Sequence, residues 1–319
     1  MDELKCTALA LNEDETAHAL IYSRMGRGAA LLGGDAYPMQ KNINAADWAA
    51  RDTLQLVLGD ETAEVFGQKD GSFPAALDAL LYARWQAKKP GLIVLSCAAA
   101  EHNAQHLLEA ALACAMARHA QPGYLRYLVS DNAFCATLSD CAEWLIEADE
   151  KTAARLPLPK SDAVRCVPDL SPYALRRTRM LGGAGAMAAV CACLAGVETL
   201  GEAMREEDIR TLLGKALTEE MPPDAGFSRT ENLQYAVQVC SYLENACASE
   251  KWPEMGENLL ARYVRAILPA MTEYEQKSAA PPGLCRQRAD HAVQRRAARR
   301  SGRIYSGGQG RLHAGAGSG

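Results

Sequence analysis

No run in this chain of 319 residues approaches the roughly 18 consecutive apolar residues that a bilayer span requires. Met1-Asp2-Glu3-Leu4-Lys5 also lacks the basic-then-apolar order of a secretory leader. Both absences argue against a membrane partner and point to the cytoplasm. A surplus of positive charge is missing too: the formal net charge is −5 and the pI about 5.8. That excludes a protein devoted to neutralising nucleic-acid phosphates or anionic lipid and leaves a small-molecule ligand as the default partner. Eleven cysteines are present, but no two stand as C-x-x-C. Cys97, Cys114, Cys166, Cys191, Cys193 and Cys240 lie in apolar segments and read as reduced core residues. Of six histidines, only His102 and His106 have the spacing that puts two ligands on one helix face. They lack the intervening glutamate and any third ligand, so no metal is expected. No glycine fingerprint of the strand, G-x-G-x-x-G, helix type occurs near the start.

What is present is a globular composition, 49% hydrophobic and 23% charged, long enough for two domains. Lys5–Leu11, Ala19–Tyr22 and Leu54–Leu58 are short apolar runs of the kind that form buried strands. Pro74 opens a helix over Ala75–Trp85 with Leu77, Leu80, Leu81 and Trp85 at helical spacing. Leu92–Ser96 reads as a buried strand, and Asn103–His119 as an amphipathic helix. Strand alternating with helix implies a parallel, doubly wound sheet, with ligands at the carboxyl ends of strands and therefore near Ser96–Asn103. Ser130–Asp140 reads as a polar loop or helix start. Beyond Lys160 helices dominate: Pro172–Ala195, Glu206–Glu220, Thr230–Ala248 and Trp252–Lys277. The junction between the two parts falls near Asp162–Pro168. Past Leu284 the composition changes again, to eight arginines without a lysine in Cys285–Gly319. This reads as a disordered Arg/Gly-rich tail; an Arg/Gly-rich nucleic-acid arm and a shifted reading frame are the other readings.

The stretch Pro172–Ala195 joins an arginine-rich turn, Arg176-Arg177-Thr178-Arg179, to a glycine-rich apolar helix. Gly183-Ala184-Gly185-Ala186-Met187-Ala188 has the letters of a nucleotide fingerprint, but no buried strand precedes it. Small residues that let helices pack closely are the plainer reading. An anion or sugar-acid site around Arg176, Arg177 and Arg179, with Arg262 and Arg265, is a further one.

Taken in order, a series of segments resembles the mannitol dehydrogenase family of long-chain polyol and hexuronate dehydrogenases, its tagaturonate reductase (altronate oxidoreductase) branch the nearest. The segments are Ser72-Phe73-Pro74-Ala75-Ala76-Leu77, Gly91–Cys97 followed by Asn103, Asn132–Asp140, Val167-Pro168-Asp169, Pro172-Tyr173, Glu198–Met204 and Glu219–Pro222. The resemblance implies an α/β plus all-α chain: an incomplete Rossmann-like nucleotide domain over 1–165, lacking its first strand and glycine fingerprint, then an α-helical domain like that of 6-phosphogluconate dehydrogenase over 166–284, and the tail over 285–319. It implies NAD as cofactor, with Ser96, Cys97 and Asn132 on the cofactor side. It implies a sugar acid or polyol as substrate, with Asn103, Asp140 and Arg262 beside it, and an oligomer or a complementing chain as possible partner. No nucleic acid is implied.

In such a family a lysine, an asparagine five residues on and a histidine three further carry the alcohol–ketone chemistry. Those positions are Arg177, Gly182 and Gly185 here. Guanidinium groups stay protonated at usable pH, and glycine offers no side chain, so the resemblance implies an oxidoreductase with impaired chemistry. A catalytically silent sugar-acid-binding or protein-interaction relative, or a partial gene product, is the alternative.

Overall fold

The computed structural model describes residues 7–10, 54–59, 73–98, 100–141, 143–158, 161–245, 251 and 259–278. The expected strand Ala19–Tyr22 and the tail 285–319 lie outside these residues. The chain divides into two compact units between Ala174 and Leu175.

The first unit is a six-stranded sheet in the order β1 to β6: Thr7–Ala10, Leu54–Gly59, Ile93–Ser96, Ala133–Ser139, Trp144–Glu147 and Val164–Val167. All neighbours are parallel except β4 and β5. The order follows the chain, so the reversal that defines a doubly wound sheet is absent among the described strands. The division into units lies downstream of the expected Asp162–Pro168 junction because β6 is still paired to β5 along its length.

Successive side chains of a strand point to opposite faces, and the sequence uses both. Val57 and Val94 join one buried cluster, packed under helices α1 (Phe73–Gln86), α2 (Asn103–Arg118) and α3 (Pro122–Ser130) through Leu77, Leu80, Leu107, Ala111, Tyr124 and Leu128. Leu56, Leu58, Ile93 and Leu95 join the other, with Cys135, Trp144 and Ile146. Each fully buried large side chain contributes about 1.5–3 kcal/mol by leaving water. Under the helical layer lies a polar knot that lone residues on apolar helix faces do not announce in sequence. Tyr124 Oη donates to Asp78 Oδ1 at 2.7 Å, and His119 Nε2 lies 3.6 Å from Asp78 Oδ2 while its ring stacks on Tyr82. Burial, reinforced by that hydrogen bond, pushes the Tyr124 phenol well above its usual range.

Ser130–Asp140 is not a loop but contains β4. Its polar residues mislead because the fold satisfies them: Cys135 and Thr137 point inward, and the Thr137 hydroxyl donates to Ser96 O at 2.7 Å. The short helix α4 (Glu150–Arg155), capped by the Asp149 side chain accepting from Thr152 N, follows β5.

The second unit is helical. The helix α5 (Ser171–Arg176), which opens in the first unit, continues through a π-helical turn, Arg177–Gly182, into α6 (Gly183–Ala195). This 25-residue helix is long and apolar enough to cross a membrane, contrary to the expectation from sequence, because its Gly, Ala and Cys residues add apolar character without bulk. Half of its most apolar window is buried inside the protein, as in a core helix. There follow α7 (Leu200–Arg205), started by a Thr199/Glu202 capping box, α8 (Glu207–Lys215), a second π turn (Ala216–Glu220), α9 (Arg229–Asn245) and α10 (Leu259–Arg262). A third π turn (Tyr263–Ile267) then leads into α11 (Leu268–Ser278).

Cysteine placement follows the expectation in part. Cys97 and Cys135 are buried, and burial pushes the Cys135 thiol up to about 12 and that of Cys191 to about 11. Cys193 is exposed instead, because two positions on a helix cannot face the same way.

Candidate functional site

In the sheet unit the strand ends bring Ser96, Asn103 and Thr137 together. Asn103 opens α2 and is 1% exposed; its amide donates to Ala98 O at 2.8 Å and Thr137 O at 3.1 Å. The other half of that amide, Oδ1, is buried and has no hydrogen-bond partner. Since buried acceptors are almost always satisfied, an orphan at the carboxyl end of a parallel strand is where a ligand's N–H or O–H belongs. Asp140 is also buried, its Oδ1 accepting from Cys141 N at 2.7 Å.

The residues assigned to the cofactor are placed differently. Asn132 spends its whole side chain on the fold: Oδ1 accepts from Leu92 N at 2.8 Å, and Nδ2 donates to Tyr127 O at 2.9 Å and Leu128 O at 3.5 Å. It ties the end of α3 to the start of β3. Ser96 is fully buried, and the Cys97 thiol points back towards Leu95 O at 3.9 Å. Among these described residues Asn103 Oδ1 is a buried acceptor left without a hydrogen bond.

In the helical unit Arg177 and Gly182 are the first and last residues of the π turn, and Gly185 is buried in the first turn of α6. Turns of this kind are frequent at functional sites. The packing reading of the small residues is carried by Gly183, where a Cβ would stand 3.2 Å from Met221 Cε and 3.6 Å from Ala266 Cβ. At Gly182 a Cβ would meet nothing nearer than Arg177 O, at 3.8 Å.

The three arginines separate sharply. The Arg176 guanidinium is 7% exposed and sits 4.0 Å from the Phe227 ring centre and 4.1 Å from that of Tyr235. Arg179 Nη1 donates to Glu273 Oε2 at 2.9 Å. Phe227, Tyr235 and Glu273 escape sequence reading because they lie tens of residues from the arginines they hold. Arg177 is half-buried, and its Nε, like that of Arg179, is shielded from solvent with no acceptor. Gly183 approaches Ala266 and Arg179 bonds Glu273, so the two helical segments run in opposite senses, with Arg262 one turn before Ala266.

This helical unit matches a known domain family, mannitol dehydrogenase C-terminal domain, over residues 169–292. Altronate oxidoreductase of Klebsiella pneumoniae (strain 342) is 28% identical over 246 residues, which is 66% of this chain and 51% of that protein. The chain therefore spans about half the length of the curated relatives it matches. Two solved structures share the fold. A substrate-free D-sorbitol dehydrogenase has a TM-score of 0.59 at 14% identity, over 72% of this chain and 58% of its own. The Pseudomonas fluorescens mannitol 2-dehydrogenase, in ternary complex with NAD and D-mannitol, has a TM-score of 0.53 at 13% identity, over 92% of this chain and 78% of its own. The mannitol dehydrogenase resemblance read from the ordered segments is thus shown, as is the combination of a mainly parallel sheet with a helical unit.

Proposed function

We propose that this chain is a cytoplasmic sugar-acid oxidoreductase of the tagaturonate/altronate type whose alcohol–ketone chemistry is impaired. One observation carries the reading. The positions where the resemblance puts a general acid/base and its two hydrogen-bonding partners are an arginine and two glycines, in and just after a π turn. NAD, when bound, supplies the hydride acceptor, or as NADH the donor. Asn103 Oδ1 would then accept a hydrogen bond from the nucleotide, relieving its lack of a partner. Arg177 stays protonated and would not take the proton that leaves an alcohol. Gly182 and Gly185 hold no donor for the developing oxyanion. A positioned base is worth about 10²–10⁴-fold and an oxyanion donor about 10²–10³-fold, so losing both removes most of the rate.

The test is tagaturonate-dependent NADH oxidation by the purified chain. Wild type is expected to turn over at least about 10⁴-fold below an ordinary enzyme rate of about 10 s⁻¹. The R177K/G182N double variant, for which Gly182 leaves room, is expected to gain at least about 100-fold. Wild-type turnover in the ordinary range overturns the impairment.

A further inference from the structure

We infer that Arg177 is the receptor for the carboxylate of the sugar acid, so that the family's proton-transfer position has become an anion-binding one. The inference rests on the sugar-acid reading above and deepens it. Its first support is the contrast within the arginine run. Arg176 lies between two aromatic rings, and Arg179 is neutralised by Glu273, which also accepts from Asp224 N at 3.0 Å and Lys277 Nζ at 3.0 Å. Among the described residues Arg177 alone of the three has neither hydrogen bond nor ion pair. A half-buried cation without a counter-charge is costly, and the usual remedy is an anion brought to it.

The second support is space. One π-helical turn on from Arg177, Gly182 supplies no side chain, and a Cβ there would find only the Arg177 carbonyl oxygen, at 3.8 Å. Gly182 therefore adds no bulk to the π turn that Arg177 opens. The third is shape. The planar guanidinium fork meets a carboxylate through two parallel N–H···O bonds, a fit that a lysine ammonium does not reproduce. An inorganic anion such as phosphate offers the same oxygens, and the experiment separates the two sources.

Full-length protein, with no nicotinamide nucleotide present, is titrated by calorimetry with D-galacturonate, neutral D-galactose and inorganic phosphate. The variants are R177Q, R177K and R205Q, the last an exposed arginine at the end of α7. Circular dichroism checks that each variant is folded. D-galacturonate is expected to bind at least about tenfold more tightly than galactose, and R177Q to lose at least about tenfold of that affinity. R177K is expected to fall between wild type and R177Q, and R205Q to match wild type. Equal affinity in wild type and R177Q overturns the inference, as does no measurable binding of D-galacturonate. Phosphate bound as tightly as D-galacturonate, with both lost in R177Q, also overturns the sugar-acid assignment and leaves an inorganic anion as the ligand. Because no cofactor is present, these outcomes stand apart from the turnover assay, which alone decides the impairment.

Discussion

The two units treat their family-like residues in opposite ways. In the sheet unit the matching polar residues hold the fold: Asn132 ties α3 to β3, Thr137 locks β4 to the end of β3, and Asp140 caps the following turn. In the helical unit the positions to which the resemblance assigns chemistry hold an arginine and two glycines. A motif can thus persist for its hydrogen bonds to backbone alone. Resemblance in the sheet unit therefore speaks to architecture.

The comparison breaks most visibly at Gly91. A Cβ added there would lie 2.0 Å from Asp131 O, 2.3 Å from Asp131 C and 2.9 Å from Asn132 N. These are backbone atoms, held in place by the Asn132 clamp, so they cannot turn aside. Gly91→Ala is expected to cost about 3 kcal/mol or more, read as a lower urea midpoint with the slope unchanged. A neutral outcome would mean that the entry to β3 is loose, and that the rigidity ascribed to the sheet unit is wrong.

Asn132→Asp sharpens the same point. The carboxylate still accepts from Leu92 N, but it no longer donates to Tyr127 O and Leu128 O, and it faces them with negative charge. The expected loss is about 2–3 kcal/mol. A cofactor-binding role for Asn132 predicts instead a variant of native stability with weakened nucleotide binding, so denaturation and nucleotide titration together separate the two roles.

Much of this architecture was legible in the sequence. The helical spacing of Leu77, Leu80 and Leu81 and the run Leu92–Ser96 gave α1 and β3, since apolar periodicity is what burial selects. β4 was hidden because Thr137 and Asn132 look like loop residues until their backbone partners, forty or so positions away, are in place. The sequential strand order was hidden for a related reason: local pattern specifies a strand but not its neighbour. At the candidate site the identity of Arg177, Gly182 and Gly185 was legible, but the pairing of their surroundings was not. Nothing local distinguishes Arg176, Arg177 and Arg179; the difference lies in Phe227, Tyr235 and Glu273, which only the fold delivers.

The smallest expected effect carries the opposite sign. Gly182 has φ −63° and ψ −42°, ordinary right-handed helical values that alanine adopts without strain. The nearest atom to an added Cβ is 3.8 Å away, an ordinary contact. Glycine in a helix interior is less stable than alanine by about 0.5–1 kcal/mol, so Gly182→Ala is expected to stabilise the helical unit by up to about that much. Its urea midpoint should rise where that of Gly91→Ala falls. A destabilised Gly182→Ala would mean that this turn is already close-packed and would make the two units alike in how tightly their glycines are packed.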